Sequence, residues 1–175
     1  MSMQYLLDSN IYIEGFKRYY AMDIYPGFWE LIVSYSTKNR ICSIDRVKDE
    51  LNAKDDELEN WVFNAPSELF VSTAKIHISR AYSEVVEWVN GNAQFKDYAK
   101  TKFFEGADGW LVAEAYVNKS ILVTHEKNKY DPNVKKRVPL GNVCDYFTRI
   151  IHTKVGLLKT IPLIEAIFIP HDRCF

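Results

Sequence analysis

Gln4-Tyr5-Leu6-Leu7-Asp8-Ser9-Asn10 is the stretch on which the fold turns. A short apolar run over residues 4–7 stops at three polar residues. It reads as a buried strand with polar groups at its carboxyl end. Working outward, residues 11–20 read as helix. Pro26 opens a second helix at its first turn, through Phe28, Trp29, Leu31 and Ile32. Residues 40–44 form another strand candidate. Ile44, Val47 and Leu51 make a helical stripe over residues 44–53, and residues 56–64 continue with acidic helix formers. Ser72 or Thr73 is placed to cap a longer helix carrying Ile78, Tyr82, Val85 and Val89, which Gly91 ends. Residues 94–104 form a further helix that Gly106 interrupts. Residues 107–118 form a strong helix with Leu111, Ala115 and Tyr116 on its buried side. Residues 121–124 are a β-branched strand, and residues 142–151 a last helix. Strands separated by helical patterns predict parallel β-α units, hence an α/β domain with a central parallel sheet. Right-handed crossovers then line the strands' carboxyl ends along one edge, where α/β sheets form their sites.

Composition bounds what such a domain does. The chain has 175 residues, 47% apolar and 26% charged. That suits one compact domain and excludes a disordered chain or a membrane protein as a class. Lys plus Arg is 22 against 23 for Asp plus Glu, which rules out a polycation coating nucleic acid but not a nucleic-acid enzyme. The first ten residues lack the basic region of a secretory signal, and no apolar run reaches the roughly 18–20 residues of a membrane span. Cys42, Cys144 and Cys174 are odd in number and far apart, so neither a disulfide framework nor a zinc site is expected. A cytoplasmic protein with Cys42 and Cys144 as small core residues fits best.

Four carboxylates fall where this layout brings elements together. Asp8 closes the first strand; its plain structural role would be to cap the helix that follows. Glu50 sits at the margin of the 44–53 stripe, whereas Asp49 points to water. Asp108 opens a helix between small neighbours, in Gly106-Ala107-Asp108-Gly109, which leave room for a metal or phosphate. Glu114 lies roughly 240° further round that helix and faces elsewhere. Glu126 follows the strand over residues 121–124, after Thr124 and His125. Four such acids repel one another unless a cation neutralises them. Oxygen-only ligation favours Mg²⁺ or Mn²⁺ over zinc, and a hard divalent ion suits phosphodiester hydrolysis.

The sequence resembles the PIN-domain ribonucleases, found as the toxin halves of type II toxin–antitoxin pairs. The residues that carry the likeness are Leu6-Leu7-Asp8-Ser9-Asn10-Ile11, Val47-x-x-Glu50-Leu51, Gly106-Ala107-Asp108-Gly109-Trp110-Leu111-Val112-Ala113 and Val123-Thr124-His125-Glu126, in family order over residues 4–147. It is most similar to the DUF4411-type PIN-like branch, through Tyr-Tyr-Ala-x-Asp-x-x-Pro-Gly-Phe-Trp at residues 19–29. The resemblance implies a three-layer α/β/α domain over residues 1–150, with residues 151–175 an extension it does not cover. It implies Mg²⁺- or Mn²⁺-dependent cleavage of RNA, leaving 3′-hydroxyl and 5′-phosphate ends, by a protein that an antitoxin holds in check and that can form a homodimer. Carried across, Asp8, Glu50, Asp108 and Glu126 are the catalytic acids, with Asp8, Asp108 and Glu126 on the metal. Ser9 or Asn10 and Thr124 orient carboxylates or waters. Many relatives carry Asp at the fourth position. Here it is Glu126, with Asp131 as the alternative acid.

Charge is unevenly spread. Residues 45–68 hold eight acids and three bases, and residues 127–159 two acids and eight bases. Lys127, Lys129, Lys135, Lys136 and Arg137 follow directly on Glu126, placed to hold phosphates, with Tyr130 among them as a base-stacking candidate. Two other functions compete. An aspartyl-nucleophile phosphatase would use Asp8 but carries a second acid two residues on, where this chain has Asn10. A catalytically degenerate PIN-like binding module would have no reason to keep Asp8, Glu50 and Asp108 together. On the nuclease reading, replacing Lys135, Lys136 and Arg137 by Ala weakens RNA binding and leaves metal binding intact. Unchanged RNA affinity at moderate salt would remove the basic stretch from the substrate site.

Overall fold

The computed structural model describes residues 4–52, 57–126 and 130–150. Lys127, Lys129, Cys174 and the 151–175 extension lie outside these described residues. A central parallel sheet is flanked by helices in a mixed α/β arrangement. Its strands are β1 (Tyr5–Leu7), β2 (Ile41–Ile44), β3 (Phe70–Val71) and β4 (Ile121–Val123), in the order β3-β2-β1-β4. Tyr5 stands opposite Ile41 on one side and Ile121 on the other, so β1 is central. Ser43 and Ile44 pair with Phe70 and Val71. Leu6, Leu7, Ile41, Ile44, Leu122 and Val123 are all buried. Strands covered on both faces have no polar face to show, which is why they read as unbroken apolar runs.

Helix α1 (Ser9–Glu14) follows β1 and continues as a π-helical turn, Gly15–Tyr19. Helix α2 (Pro26–Thr37) has Pro26 in its first turn, where the missing N–H costs nothing. Next come α3 (Asp45–Leu51), α4 (Glu57–Asn64), α5 (Ile76–Gly91), α6 (Asp97–Glu105), α7 (Asp108–Asn118) and α8 (Leu140–Ile150). The sequence foretold each of these except β3, a two-residue strand too short to leave a periodic signature.

Two local expectations are corrected. Helix α5 starts at Ile76 rather than on a Ser72 or Thr73 cap. The Thr73 hydroxyl and N–H instead donate to Asp45 at 2.7 and 2.9 Å, and the Ser72 hydroxyl at 3.2 Å. An ionised carboxylate is the stronger acceptor. Burial alone would raise the Asp45 carboxyl, but the bonds from Thr73, Arg46 and Ser72 together hold it below its usual range. They tie the start of α3 to the strand end of β3.

The small residues around Asp108 also serve packing rather than open space. A Cβ on Gly109 would stand 2.9 Å from the Tyr82 ring and 3.2 Å from that of Phe103. Tyr82 in turn stacks on Trp110 at 3.9 Å, nearly parallel, and the Arg46 guanidinium lies over the indole at 4.9 Å. Glycine is therefore what lets α5 approach α7 closely. Gly109→Ala is expected to destabilise by about 1–3 kcal/mol, because ring atoms cannot yield as a flexible chain end would. A denaturant midpoint unchanged from wild type would show that the two helices separate without cost.

Candidate functional site

Chain order and strand order disagree at one place. The chain builds β1, β2 and β3 outward in one direction, then returns to lay β4 on the other side of β1. The crossovers on either side of the β1/β4 pair thus leave in opposite directions, and open α/β sheets bind ligands beyond the carboxyl ends of the strands at such a point. Asp8 and Thr124 sit there, at the ends of β1 and β4. The Asp8 N–H still belongs to the sheet, donating to the Val123 carbonyl at 3.0 Å.

The Asp8 side chain is buried and makes no capping bond to α1, so the plain capping role does not hold. Its Oδ2 accepts from the Thr124 hydroxyl at 2.7 Å. Thr124 Oγ1 also accepts from Asn10 Nδ2 and from the Glu126 N–H, both at 3.0 Å. A hydroxyl has one proton and two lone pairs, so these three bonds exhaust it. Asn10 Oδ1 takes the His125 N–H at 2.9 Å. Ser9 Oγ lies 3.4 Å from Asp8 Oδ1, a long contact for two oxygens. Asn10 and Thr124 therefore hold Asp8 and the 124–126 backbone, while the Ser9 hydroxyl contributes little.

Glu50 is partly buried and Asp49 exposed, as the α3 stripe required. Glu50 Oε1 accepts the Ala107 N–H at 2.8 Å, at the very start of α7. Asp108, the first residue of α7, is partly buried, and its carboxylate accepts no hydrogen bond among the described residues. Glu126 accepts the Leu140 N–H at 3.1 Å through one oxygen and meets Arg137 Nη1 at 3.3 Å through the other. Its extra methylene thus reaches the N-terminus of α8, and the exposed ion pair adds little stability.

The alternative acid Asp131 spends its carboxylate on its own turn, at the Asn133 N–H, and its backbone is clamped by Asn142 and Gln94. Glu114 is buried away from this group against Asn118, as its place on the helix requires. Burial raises its carboxyl, and its Oε2 has no partner. Lys135 and Lys136 are exposed, and so is Arg137. Gln94 Nε2 holds the carbonyls of Asp131 and Val134 at 2.8 Å and so shapes this basic loop, a role that nothing in the sequence around Gln94 announces.

Electrostatics join the four acids. Burial pushes Asp8 up to about 6, against the Thr124 hydroxyl and the Ser9 backbone N–H that lower it, with the charges of Glu50 and Glu126 adding to the rise. Burial pushes Asp108 up to about 8, and the charges of Asp8, Glu126 and Glu50 add to it; Arg137 pulls the other way. Cys144, a buried thiol that the sequence marks only as core, feels the same field from Asp108, Asp8 and Glu126.

A family model described as a domain of unknown function, DUF4411, matches residues 5–162. The chain belongs to the DUF4411 family. No curated protein and no solved structure matches it. Among the described residues, no helix is long and apolar enough to cross a membrane.

Among the described residues, no group of three or more His, Cys, Asp or Glu side chains stands ready to hold a metal ion. The four acids share a field rather than form a closed cage, because Glu50 and Glu126 are committed to helix ends. One buried and one partly buried aspartate still make a donor set of the kind that suits Mg²⁺, which keeps several waters and takes one or two carboxylates plus substrate phosphate.

The raised carboxyls set a pH dependence. With Asp8 and Asp108 above the usual carboxylate range of about 4, the folded chain holds more protons than the unfolded chain from about pH 4 up to about 8. Their contribution to stability is complete below about pH 4 and is lost as pH rises through about 6 and then 8. In chelator, the protein is expected to melt at a higher temperature at pH 5 than at pH 8, with Asp108→Asn shrinking that difference. An equal pH slope in wild type and variant would mean that Asp108 ionises freely.

Proposed function

We propose that this DUF4411 protein is a PIN-like endoribonuclease that uses Mg²⁺ or Mn²⁺, and the toxin of a toxin–antitoxin pair. The observation that carries the reading is the pair of mutually repelling carboxylates, buried Asp8 and partly buried Asp108, beyond the ends of β1 and β4. Burying two acids beside two more costs stability, and such an arrangement is kept where it serves chemistry. A divalent ion at Asp8 and Asp108 would supply the charge that neutralises a phosphodiester and activates the attacking water. Thr124 fixes one Asp8 oxygen. Glu50, through the Ala107 N–H, fixes the start of the helix that carries Asp108. Glu126 lies within the same field, where a ligand's water can bridge to it, and Arg137 beside it offers a charge to a phosphate. Lys135 and Lys136 extend that charge along the loop.

The oxygen donors and the basic loop favour this over the phosphatase, whose second acid would have to stand where Asn10 holds the His125 backbone. The degenerate binding module is the reading that activity measurements separate from it.

Purified protein given single-stranded RNA and Mn²⁺ is expected to cut it, and chelator to stop the cutting. Asp8→Asn and Asp108→Asn should abolish cleavage and relieve growth arrest on expression. Thr124→Val, which keeps the shape and removes the proton shared with Asp8, should cost about 10–100-fold in activity. Cleavage that survives Asp8→Asn in a folded protein would leave the carboxylates without a catalytic part.

A further inference from the structure

Residues 19–29 build an aromatic wall that reaches His125 through Tyr19. Tyr20 stacks on Phe28 at 4.1 Å and 13°, and Tyr25 meets Tyr20 edge-on at 6.1 Å. Trp29 anchors the group, donating from Nε1 to the Tyr20 carbonyl at 2.8 Å and packing on Trp61 in the core. The inner rings are thus fixed, while Tyr19 and Tyr25 are each 55% exposed. Tyr20, Tyr25, Phe28 and Leu31 line a cleft of about 690 Å³, with Glu30 and Ser34 also on its wall.

The π-helical turn Gly15–Tyr19, closed by the Tyr20 N–H on the Gly15 carbonyl, delivers Tyr19 onto the ring of His125 at 6.1 Å and 24°. The His125 backbone hangs on Asn10, Asn10 on Thr124, and Thr124 on Asp8. Wall and acids are therefore one connected structure.

We infer that this wall is a stacking platform for unpaired nucleobases of an RNA whose scissile phosphate lies at Asp8 and Asp108. This rests on the nuclease reading above. Two features select a base as occupant. The wall offers flat π faces, on which any base stacks at a gain of about 1–3 kcal/mol. Tyr19 stands 6.3 Å from Tyr20 of the cleft wall and 6.1 Å from His125, the neighbour of Thr124 and Glu126, so the aromatic surface runs from the cleft toward the acids. A base within a duplex has both faces covered, so the platform selects single-stranded RNA.

The test uses the full chain in chelator, where binding is measured without cleavage. Short RNA carrying 2-aminopurine reports stacking as quenched fluorescence. Wild type is expected to quench. Tyr19→Leu and Tyr25→Leu should each weaken binding about tenfold and lose quenching, while Tyr19→Phe and Tyr25→Phe keep both and show that the fold tolerates change there. With Mn²⁺ added, the Leu variants should raise KM about tenfold with kcat within about twofold. Leu variants that bind and quench like wild type overturn the platform, and leave the nuclease reading standing if wild type cuts RNA. Quenching by a wild-type protein that never cuts RNA supports the platform and overturns the nuclease instead. Duplex bound as tightly as single strand overturns the platform. So does a Leu variant that binds RNA normally but escapes an antitoxin, which would assign the cleft to a protein.

Discussion

The one proton of the Thr124 hydroxyl joins the first strand of this protein to the last. Asp8 ends β1 and Thr124 ends β4, and the two strands pair although 116 residues separate these two side chains. A carboxylate buried between parallel strands needs a donor, since an unsatisfied one costs about 1–3 kcal/mol or more. Thr124 provides it, and its lone pairs then take Asn10 and the Glu126 N–H. The same oxygen therefore sets the Asp8 carboxyl, the α1 N-terminus through Asn10, and the turn that carries Glu126. The Tyr19 ring inherits its position through His125. Everything placed at the end of the sheet is referenced to that atom.

The two glutamates show how an acidic pocket is assembled from ordinary helix chemistry. A helix N-terminus has N–H groups without partners and a positive end of its dipole. Glu50 meets the N–H at the start of α7 and Glu126 the N–H at the start of α8. Because both helices begin at the same edge of the sheet, satisfying their ends draws acids to one place. Asp108 is then the member with no such employment. It is also the acid whose carboxyl rises furthest, which is where an external cation would gain most.

Much of this was legible in the sequence because buried parallel strands and striped helices leave strong patterns. Leu6-Leu7-Asp8 and Leu122-Val123-Thr124 announced strands with polar ends, and Val47 and Leu51 placed Glu50 at a margin. What stayed hidden shares a physical cause: it depends on backbone groups or on distant partners. The N–H of Ala107 and of Leu140 have no sequence signature. Neither did β3, whose two residues carry no period, nor the capture of Thr73 by Asp45. Gly109 was legible as a small residue but not as a seat for Tyr82, since the ring arrives from another helix. Gln94 bonds carbonyls 37 and 40 residues away, and nothing nearby in the chain reports that.

On the proposed reading, protons and a divalent ion compete for one task. Without an ion the buried carboxyls are quieted by protons, which is why Asp8 and Asp108 hold theirs to about 6 and about 8. An ion that binds must displace those protons, so its affinity rises with pH over the range in which the chelated protein loses stability. The strain that weakens the fold at pH 8 and the affinity that would recruit a cation are two sides of one repulsion. Arg137 relieves only part of it, being exposed and shared with Glu126. A net charge of −1 hides this arrangement, because the acids that need a cation and the loop that would hold a phosphate cancel in the sum while standing side by side in space.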